Sequence, residues 1–372
     1  MIRFLALAIL HFQTVQAWSP ARARIGEQLI RSNFIYSTAS AFFFSEMLVN
    51  GHPDECEAKE NPRYIEREVQ MKYGDDKNGN PRTRGVLVKK FTGDNTGFLF
   101  PTPSPVRLVK EWPDEIPFTS KDFFRADEGD DENFYTLPRL VYHIDEPAVA
   151  SLTQYYRNNI SKGSKILDIC SSWVSHYPLE FKDNMKRISG TGMNPLELVA
   201  NDQLTDYEAK NLNVDTKLPY EDSEFDVVTC VVSIDYLIKP IEVLREVNRV
   251  LKPGGQVIIS QSNRCFPSKA IQMWLNMNDR QHLELINGYL KYAGFDPAAV
   301  RAFDITAKVP GQSYNDPMFI VTAMIDINVM NLALGFSNAH NIYTTQYNLV
   351  EDVDTLEILG GLAQTTAKRG IC

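Results

Sequence analysis

LPYEDSEFDVV occupies residues 218–228 and RVLKPGG occupies residues 249–255, and a helix is predicted between them. Phe225 to Val232 is rich in β-branched residues, which predicts a buried strand. Pro240 to Leu251 carries apolar residues at helical spacing, which predicts an amphipathic helix. Lys-Pro-Gly-Gly at 252–255 is predicted to stop that helix, because proline lacks a backbone donor and glycine permits a turn. Gln256 to Ser260 is predicted to be the next strand.

Strands and helices are predicted to alternate from about residue 134 to residue 324. The further predicted elements are strands at Lys165–Ile169, Arg187–Thr191, Val300–Ile305 and Met318–Met324, and a helix at His282–Tyr292. Such alternation predicts an α/β fold with a doubly wound, Rossmann-like, mostly parallel sheet and helices on both faces. Sheets of this kind bind ligands at the carboxyl ends of their strands.

The order of these blocks resembles class I S-adenosylmethionine-dependent methyltransferases, and among them the type-11 methyltransferase domain. The blocks are a Leu-Pro-aromatic turn, a Phe-Asp strand, a helix and Arg-Val-Leu-Lys-Pro-Gly-Gly, and the resemblance covers roughly residues 160–324. Residues 170–178 are similar to a plant and algal subgroup of that superfamily. The resemblance implies S-adenosylmethionine as cofactor and methyl transfer as the reaction. Both blocks are largely structural in the family, so function must be argued from the loops that face the cofactor.

The first of those loops departs from the family pattern. In the family an acid ends the first strand, reaches the cofactor and is followed by Gly-x-Gly-x-Gly. Asp168 keeps the acid, whereas Cys170, Ser172 and Val174 occupy the three glycine places. Trp173 and Val174 are bulky, so we expect the loop to swing outward if a cofactor is to approach it.

The second cofactor-facing strand lacks the acid that binds the ribose hydroxyls in the family. Gly192 stands in its place, and Asn194 is the nearest polar substitute. The adenine-contacting acid of the family corresponds to either Asn211 or Asp215. The cofactor-binding residues implied by the resemblance are therefore Asp168, Cys170, Ser172, Gly192, Asn194, Asn211 and Ser233.

Methyl transfer needs in-line positioning and, where the acceptor must lose a proton, a base. The candidate catalytic residues are His176 after the first strand and Asp235 and Tyr236 after the fourth. His176 is preferred, because imidazole titrates near neutrality and this one shares the cofactor loop. The remaining polar candidates are Asn263 after the fifth strand, Arg264 as a substrate-anion anchor or surface ion pair, and His143 and Asp145 as a cap over the pocket.

Two functions remain open at this point. The first is a methyltransferase on a small organic substrate, such as a plastid lipid, quinone or pigment precursor. The second is a catalytically inactive methyltransferase-like scaffold or assembly factor, which the altered loops favour. A nucleic-acid substrate is disfavoured, because 38 basic against 47 acidic residues give a net charge of −9. Five scattered cysteines without a CxxC motif predict no metal site.

The N-terminus has the pattern of a targeting sequence. Residues 1–17 are predicted to be a signal peptide and residues 18–34, with Trp18 and three arginines, a transit segment for a plastid reached through the ER. Secretion is the alternative, with Asn159 as a glycan acceptor. Without residues 1–34 the chain keeps 34 basic and 46 acidic residues, a net charge near −12. Neither apolar run in the first 49 residues predicts a membrane span.

The rest of the chain is predicted to have three parts. Residues 35–133 form an N-terminal extension with a small β element, residues 134–324 form the methyltransferase-like domain, and residues 325–372 form a C-terminal tail with one helix near 352–359. The acidic run at residues 127–132 is predicted to be a solvated linker. The oligomeric state is left open.

Overall fold

The structure is a computed structural model that describes residues 62–326. The predicted signal peptide, transit segment and helix near 352–359 lie outside the described residues. In chain order the strands are β1 (Tyr64–Asp75), β2 (Pro81–Phe91), β3 (Ser104–Pro105), β4 (Lys165–Ile169), β5 (Arg187–Gly192), β6 (Asp206–Ala209), β7 (Phe225–Val231), β8 (Leu251–Gln261), β9 (Arg301–Asp304) and β10 (Phe319–Met324). The α-helices are α1 (Asp131–Phe134), α2 (Glu146–Asn159), α3 (Phe181–Asn184), α4 (Pro195–Ala200), α5 (Pro240–Val250), α6 (Gln272–Leu275) and α7 (Asp279–Tyr292).

The central sheet has eight strands in the order β3-β9-β10-β8-β7-β4-β5-β6. The five strands from β8 to β6 run parallel to one another, whereas β10 is antiparallel to β8 and to β9. The predicted α/β fold with a mostly parallel, Rossmann-like sheet is therefore confirmed. Within the described residues no helix is long and apolar enough to cross a membrane.

Both faces of the sheet are buried, as a parallel sheet between helices requires. Leu167 and Ile169 of β4 belong to the apolar cluster that contains residues of α5 and α7. Ile166, which directly precedes Leu167, belongs to the opposite cluster, together with Leu152 and Tyr156 of α2. This alternation within one strand explains the nearly continuous apolar run at residues 166–169.

Helix α5 ends at Val250, so the predicted end of the helix is confirmed, but Lys252–Gly255 are part of a strand, and the predicted turn before a strand at Gln256 is wrong. Strand β8 begins at Leu251, directly after α5. Its pairing with β7 jumps from Phe225–Leu251 to Val227–Gln256, so residues 252–255 form a bulge. Gly254 has a φ of 77°, which glycine adopts without strain, and it lets the bulged strand rejoin the sheet.

The described part of the N-terminal extension packs on the methyltransferase-like region. Strands β1 and β2 form an antiparallel hairpin, and Met71 and Val88 share an apolar cluster with Trp173 and Ala200. Farther along, the Trp112 ring covers Gly288, where a Cβ atom would lie 2.5 Å from the indole. These contacts make residues 62–133 a structural part of the same unit.

Candidate functional site

A cavity opens at the carboxyl ends of β4, β5 and β7, where the fold predicts a ligand site. The end of β4 and the loop that follows it form the floor of the cavity, which we define as residues 168–175. Residues 131–143, which include α1, lie across it, and we call them the roof. The loop after β8 completes the wall with Phe266 and Lys269.

The floor keeps the backbone conformation of a glycine loop without the glycines. Cys170 lies in the left-handed region with a φ of 55°, which is strained for a residue with a Cβ. The bulky neighbours Trp173 and Val174 pack in the apolar cluster of the β1–β2 hairpin. The Trp173 Nε1 also donates to the backbone oxygen of Val141 in the roof, at 3.1 Å. The hairpin thus accommodates the side chains that the sequence predicted to obstruct the loop.

The Asp168 side chain is buried within the floor and does not line the cavity. Only 2% of the residue is exposed, and its carboxylate accepts hydrogen bonds from the hydroxyls of Ser171, Ser175 and Thr229. Burial raises the pKa of Asp168 to about 6, against the opposing effect of those three hydrogen bonds. The geometry makes Asp168 a residue that holds the floor in place.

Asn194 is buried and its side chain is fully engaged by the protein. Its Oδ1 accepts from the backbone N–H groups of Leu196 and Glu197, which caps α4, and its Nδ2 donates to the backbone oxygen of Tyr135 at 2.7 Å. Gly192 is needed for close approach, because a Cβ there would lie 2.1 Å from the Ser171 backbone oxygen. Asn194 therefore positions the roof, while Gly192 lets β5 approach the floor.

Glu197 is the carboxylate that reaches the wall near the end of β5. Its oxygens accept from the backbone N–H of Arg139, at 2.7 Å, and from the Ser172 hydroxyl, also at 2.7 Å. Burial raises the pKa of Glu197. Each carboxylate oxygen has two lone pairs, so both can still accept from a ligand hydroxyl. Sequence reasoning missed Glu197. In the family the acid ends the second strand, where this chain has Gly192, whereas Glu197 lies in the first turn of the following helix, α4.

The roof is fixed by a buried ion cluster. Asp131 accepts from Arg125 at 2.8 Å and 3.0 Å, lies 3.2 Å from the Lys269 Nζ, and accepts from the Asn213 amide at 2.9 Å. The hydrogen bonds and positive charges hold the pKa of Asp131 below its usual range, although burial opposes them. The predicted solvated linker at 127–132 is therefore wrong for Asp131, which is buried and paired.

His176 and Asp235, two of the predicted catalytic residues, are buried. His176 lines the cavity, and burial lowers the pKa of its imidazole to about 3, so the ring is neutral; its Nδ1 has no hydrogen-bond partner. Asp235 does not line the cavity. Burial raises its pKa to about 8, and neither of its oxygens has a hydrogen-bond partner.

Several other predicted residues reach the cavity wall. Tyr236 lies on the wall, and its hydroxyl accepts from the Phe266 backbone N–H at 2.8 Å. Ser233 follows Val232, whose φ of 39° is strained for a β-branched residue and bends the chain at the end of β7. The predicted residues on the wall are His143, Cys170, Ser172, His176, Gly192, Asn194, Asn211, Ser233 and Tyr236. In the described residues no group of His, Cys, Asp and Glu side chains is arranged to hold a metal ion.

Comparison with known proteins finds a family that part of this chain resembles. Residues 175–259 match the family model described as a methyltransferase domain. This stretch of the chain is therefore similar to a methyltransferase domain. The cofactor of such a domain is S-adenosylmethionine, as the resemblance implied.

The relatives of this methyltransferase domain are partial matches. A demethylmenaquinone methyltransferase of Staphylococcus saprophyticus is 32% identical over 120 residues, which are 28% of this chain and 48% of the relative. One of Halalkalibacterium halodurans is 25% identical and covers 50% of this chain and 77% of the relative. The chain spans about half the length of the first of these. Among solved structures, an S-adenosylmethionine-dependent methyltransferase from Aquifex aeolicus is 16% identical, with a TM-score of 0.35 over 49% of this chain and 90% of that one.

The residues of the methyltransferase domain fit this cofactor, although not in the family arrangement. The floor has the required left-handed residue at Cys170, and Gly192 leaves room beside it. Ser172, Glu197, Asn211 and Ser233 present polar groups to the wall and would hold the cofactor. Asp168 and Asn194 would act indirectly, by holding the floor and the roof that contact it.

Proposed function

We propose that this chain transfers the methyl group of S-adenosylmethionine to a small organic acceptor held between the floor and the roof. The observation that carries the proposal is the cavity at the carboxyl ends of β4, β5 and β7, where Cys170, at the place of the family's first glycine, has a left-handed backbone conformation. The cofactor supplies an already activated methyl group. The protein then has to orient the acceptor in line with it and exclude water.

The wall favours a planar, ring-shaped acceptor. Aromatic side chains from the roof and from two strand ends line the cavity, namely Tyr135, Tyr142, Tyr236 and Phe266. Such rings bury large apolar areas and stack on flat ligands. Relatives named demethylmenaquinone methyltransferase support a reduced quinone as this acceptor, and a pigment precursor or a plastid lipid is the wider class.

A proton must leave the acceptor if a ring hydroxyl or ring carbon is methylated, and His143 is the better base for it. His143 lies in the roof and lines the cavity; burial and then the charge of Arg139 lower the pKa of its imidazole, so the ring is neutral and able to accept a proton. His176 has a pKa of about 3, so it holds a proton poorly. His176 would instead accept a hydrogen bond through its unpartnered Nδ1.

A non-catalytic scaffold is the second candidate, and one observation favours it. Two of the residues that the resemblance assigns to the cofactor, Asp168 and Asn194, are engaged by the protein itself. If Glu197 and Ser172 do not bind the cofactor in place of Asp168 and Asn194, the protein would keep the fold and bind no cofactor.

Methyl transfer to a reduced demethylmenaquinone tests the proposal. The protein is incubated with S-adenosylmethionine and the quinol under anaerobic conditions, and methylated quinol and S-adenosylhomocysteine are measured by mass spectrometry. The two products are expected in equal amounts, and the Gly192→Ala variant serves as a control with a displaced floor. If the protein binds S-adenosylhomocysteine and no product forms, the quinol acceptor is wrong. If it binds neither, the scaffold function replaces the enzyme.

A further inference from the structure

The cavity wall carries four positively charged side chains, and three of them are neutralised by the protein. Arg125 is paired with Asp131, Lys269 is paired with both Asp131 and Asp127, and the Lys210 Nζ lies 2.5 Å from a carboxylate oxygen of Asp215. The fourth, Arg139, has no acidic partner within ion-pair distance in the described part of the chain. A guanidinium without an ion-pair contact keeps its donors available for an anionic oxygen, and here the nearest carboxylate of the wall, Glu197, interacts with its charge only at longer range.

The hydrogen bonds around Arg139 leave part of its guanidinium without a partner. Glu197, the carboxylate on the same wall, accepts from the Arg139 backbone N–H and from Ser172, and not from the guanidinium. The guanidinium donates through Nη2 to the backbone oxygen of Phe134 at 2.9 Å. Its Nη1 is buried and has no hydrogen-bond partner. An unpartnered buried donor destabilises the protein, and a hydrogen bond to a ligand oxygen would relieve this cost.

Three aromatic rings surround the same guanidinium. Its central carbon lies 4.3 Å from the centre of the Phe134 ring, 5.5 Å from that of Phe266 and 5.6 Å from that of Tyr135. These contacts hold the guanidinium in a fixed plane, because cations are attracted to the faces of aromatic rings. A flat ligand that brings an oxygen to Nη1 would meet rings on the wall beside it.

We propose that Arg139 selects the acceptor by binding its anionic oxygen, and that the acceptor is a planar aromatic compound with a carboxylate or phenolate group. This inference rests on the proposed methyl transfer and names the acceptor class more narrowly. Guanidinium hydrogen bonds to such oxygens are charge-assisted and directional, so they discriminate an acid from its neutral analogue. Sequence reasoning left Arg264 as either a substrate-anion anchor or a surface ion pair. The Arg264 side chain is half exposed and pairs with Asp316 at 2.8 Å, which is the second alternative.

Calorimetry with matched neutral and anionic probes tests the proposal. The full chain is saturated with S-adenosylhomocysteine and titrated with 2-naphthoate and with its uncharged amide. We expect the wild-type protein to bind the carboxylate at least tenfold more tightly than the amide. Arg139→Gln should lower naphthoate affinity about 10- to 100-fold and leave amide binding unchanged, which is the effect of one charge-assisted hydrogen bond. Arg139→Lys should retain part of the preference.

The controls separate this proposal from its alternatives. Lys210→Gln removes a paired cation from the same wall and should change naphthoate affinity less than threefold. Equal binding of both probes by the wild-type protein, or no naphthoate binding, would overturn the assignment. So would an Arg139→Gln variant that loses affinity for S-adenosylhomocysteine but not for methylthioadenosine, because Arg139 would then bind the carboxylate of the cofactor. Failure of the wild-type protein to bind S-adenosylhomocysteine would instead contradict the proposed function itself.

Discussion

The floor and the roof of the cavity use their polar groups in opposite ways. In the floor, the Asp168 carboxylate is surrounded by three hydroxyl donors from its own chain. In the roof, the Arg139 guanidinium has a buried donor without a partner. A group that is already satisfied gains little from a ligand, whereas an unsatisfied one gains a hydrogen bond. We infer that the floor supplies shape and that the roof supplies chemical selectivity.

The largest effect on cofactor affinity is expected from removing the hydrogen-bond acceptor of the floor. Asp168→Ala leaves three buried hydroxyls without their acceptor, so the free energy of unfolding should fall by about 3 kcal/mol. Affinity for S-adenosylhomocysteine should fall at least tenfold in calorimetry, because the floor moves. Asp168→Asn keeps an acceptor and should lose much less. A floor variant with unchanged affinity would show that the roof alone binds the cofactor.

A steric change where β5 meets the floor should have the next largest effect. Gly192→Ala places a Cβ against the Ser171 backbone oxygen, which cannot rotate away, and should destabilise the protein by about 1–3 kcal/mol in urea unfolding. Gly85→Ala is the matched control, because its Cβ would meet only the flexible side chain of Glu68. Equal stability of the two variants would mean that the floor yields easily.

In contrast to Asp168, Asp235 has a buried carboxyl group without hydrogen-bond partners. Its folded-state pKa is raised to about 8, while the unfolded chain releases the same proton near pH 4. Between these values the folded state holds one more proton, so this group makes the protein less stable as pH rises, by about 1.4 kcal/mol per pH unit. Asp235→Asn removes that dependence.

The measurement for Asp235 is the difference in unfolding free energy between Asp235→Asn and the wild-type protein from pH 5 to pH 9. The advantage of the variant should grow up to about pH 8 and then level off, and other titrating groups cancel in the difference. A pH-independent difference would show that Asp235 is solvated or has a partner in solution.

The smallest effect is expected where floor and roof are joined by one neutral hydrogen bond. Trp173→Phe removes the donor to the Val141 backbone oxygen and keeps an aromatic ring in the hairpin cluster. Stability should fall by about 1 kcal/mol, and affinity for S-adenosylhomocysteine should change less than twofold. A tenfold loss of affinity would mean that this contact, and not Asp168, sets the position of the floor.

The sequence predicted the sheet well, because strands such as β4 and β7 are buried on both faces and carry continuous apolar runs. It did not predict the bulge at residues 252–255, because two glycines after a proline indicate a turn equally well. The direction of Trp173 depends on a hairpin far away in the chain, and the unpaired state of Arg139 depends on where every nearby carboxylate points. Such long-range contacts leave no local pattern in the sequence.

The same limit applies to the residues of the site. Cys170, Ser172 and Asn211 reach the cavity wall, where strand ends place them. Asp168 and Asn194 were assigned to the cofactor from the family pattern, and the structure engages both in internal hydrogen bonds. Whether a polar side chain binds a ligand or caps a helix depends on its neighbours in space, which the sequence does not identify.

The central claim is that this cavity binds the methyltransferase cofactor in spite of its altered floor. Isothermal titration of the protein with S-adenosylhomocysteine tests it most directly. We predict saturable binding to one site with a dissociation constant on the order of micromolar, which corresponds to about 8 kcal/mol. The absence of any binding heat at millimolar ligand would contradict the claim.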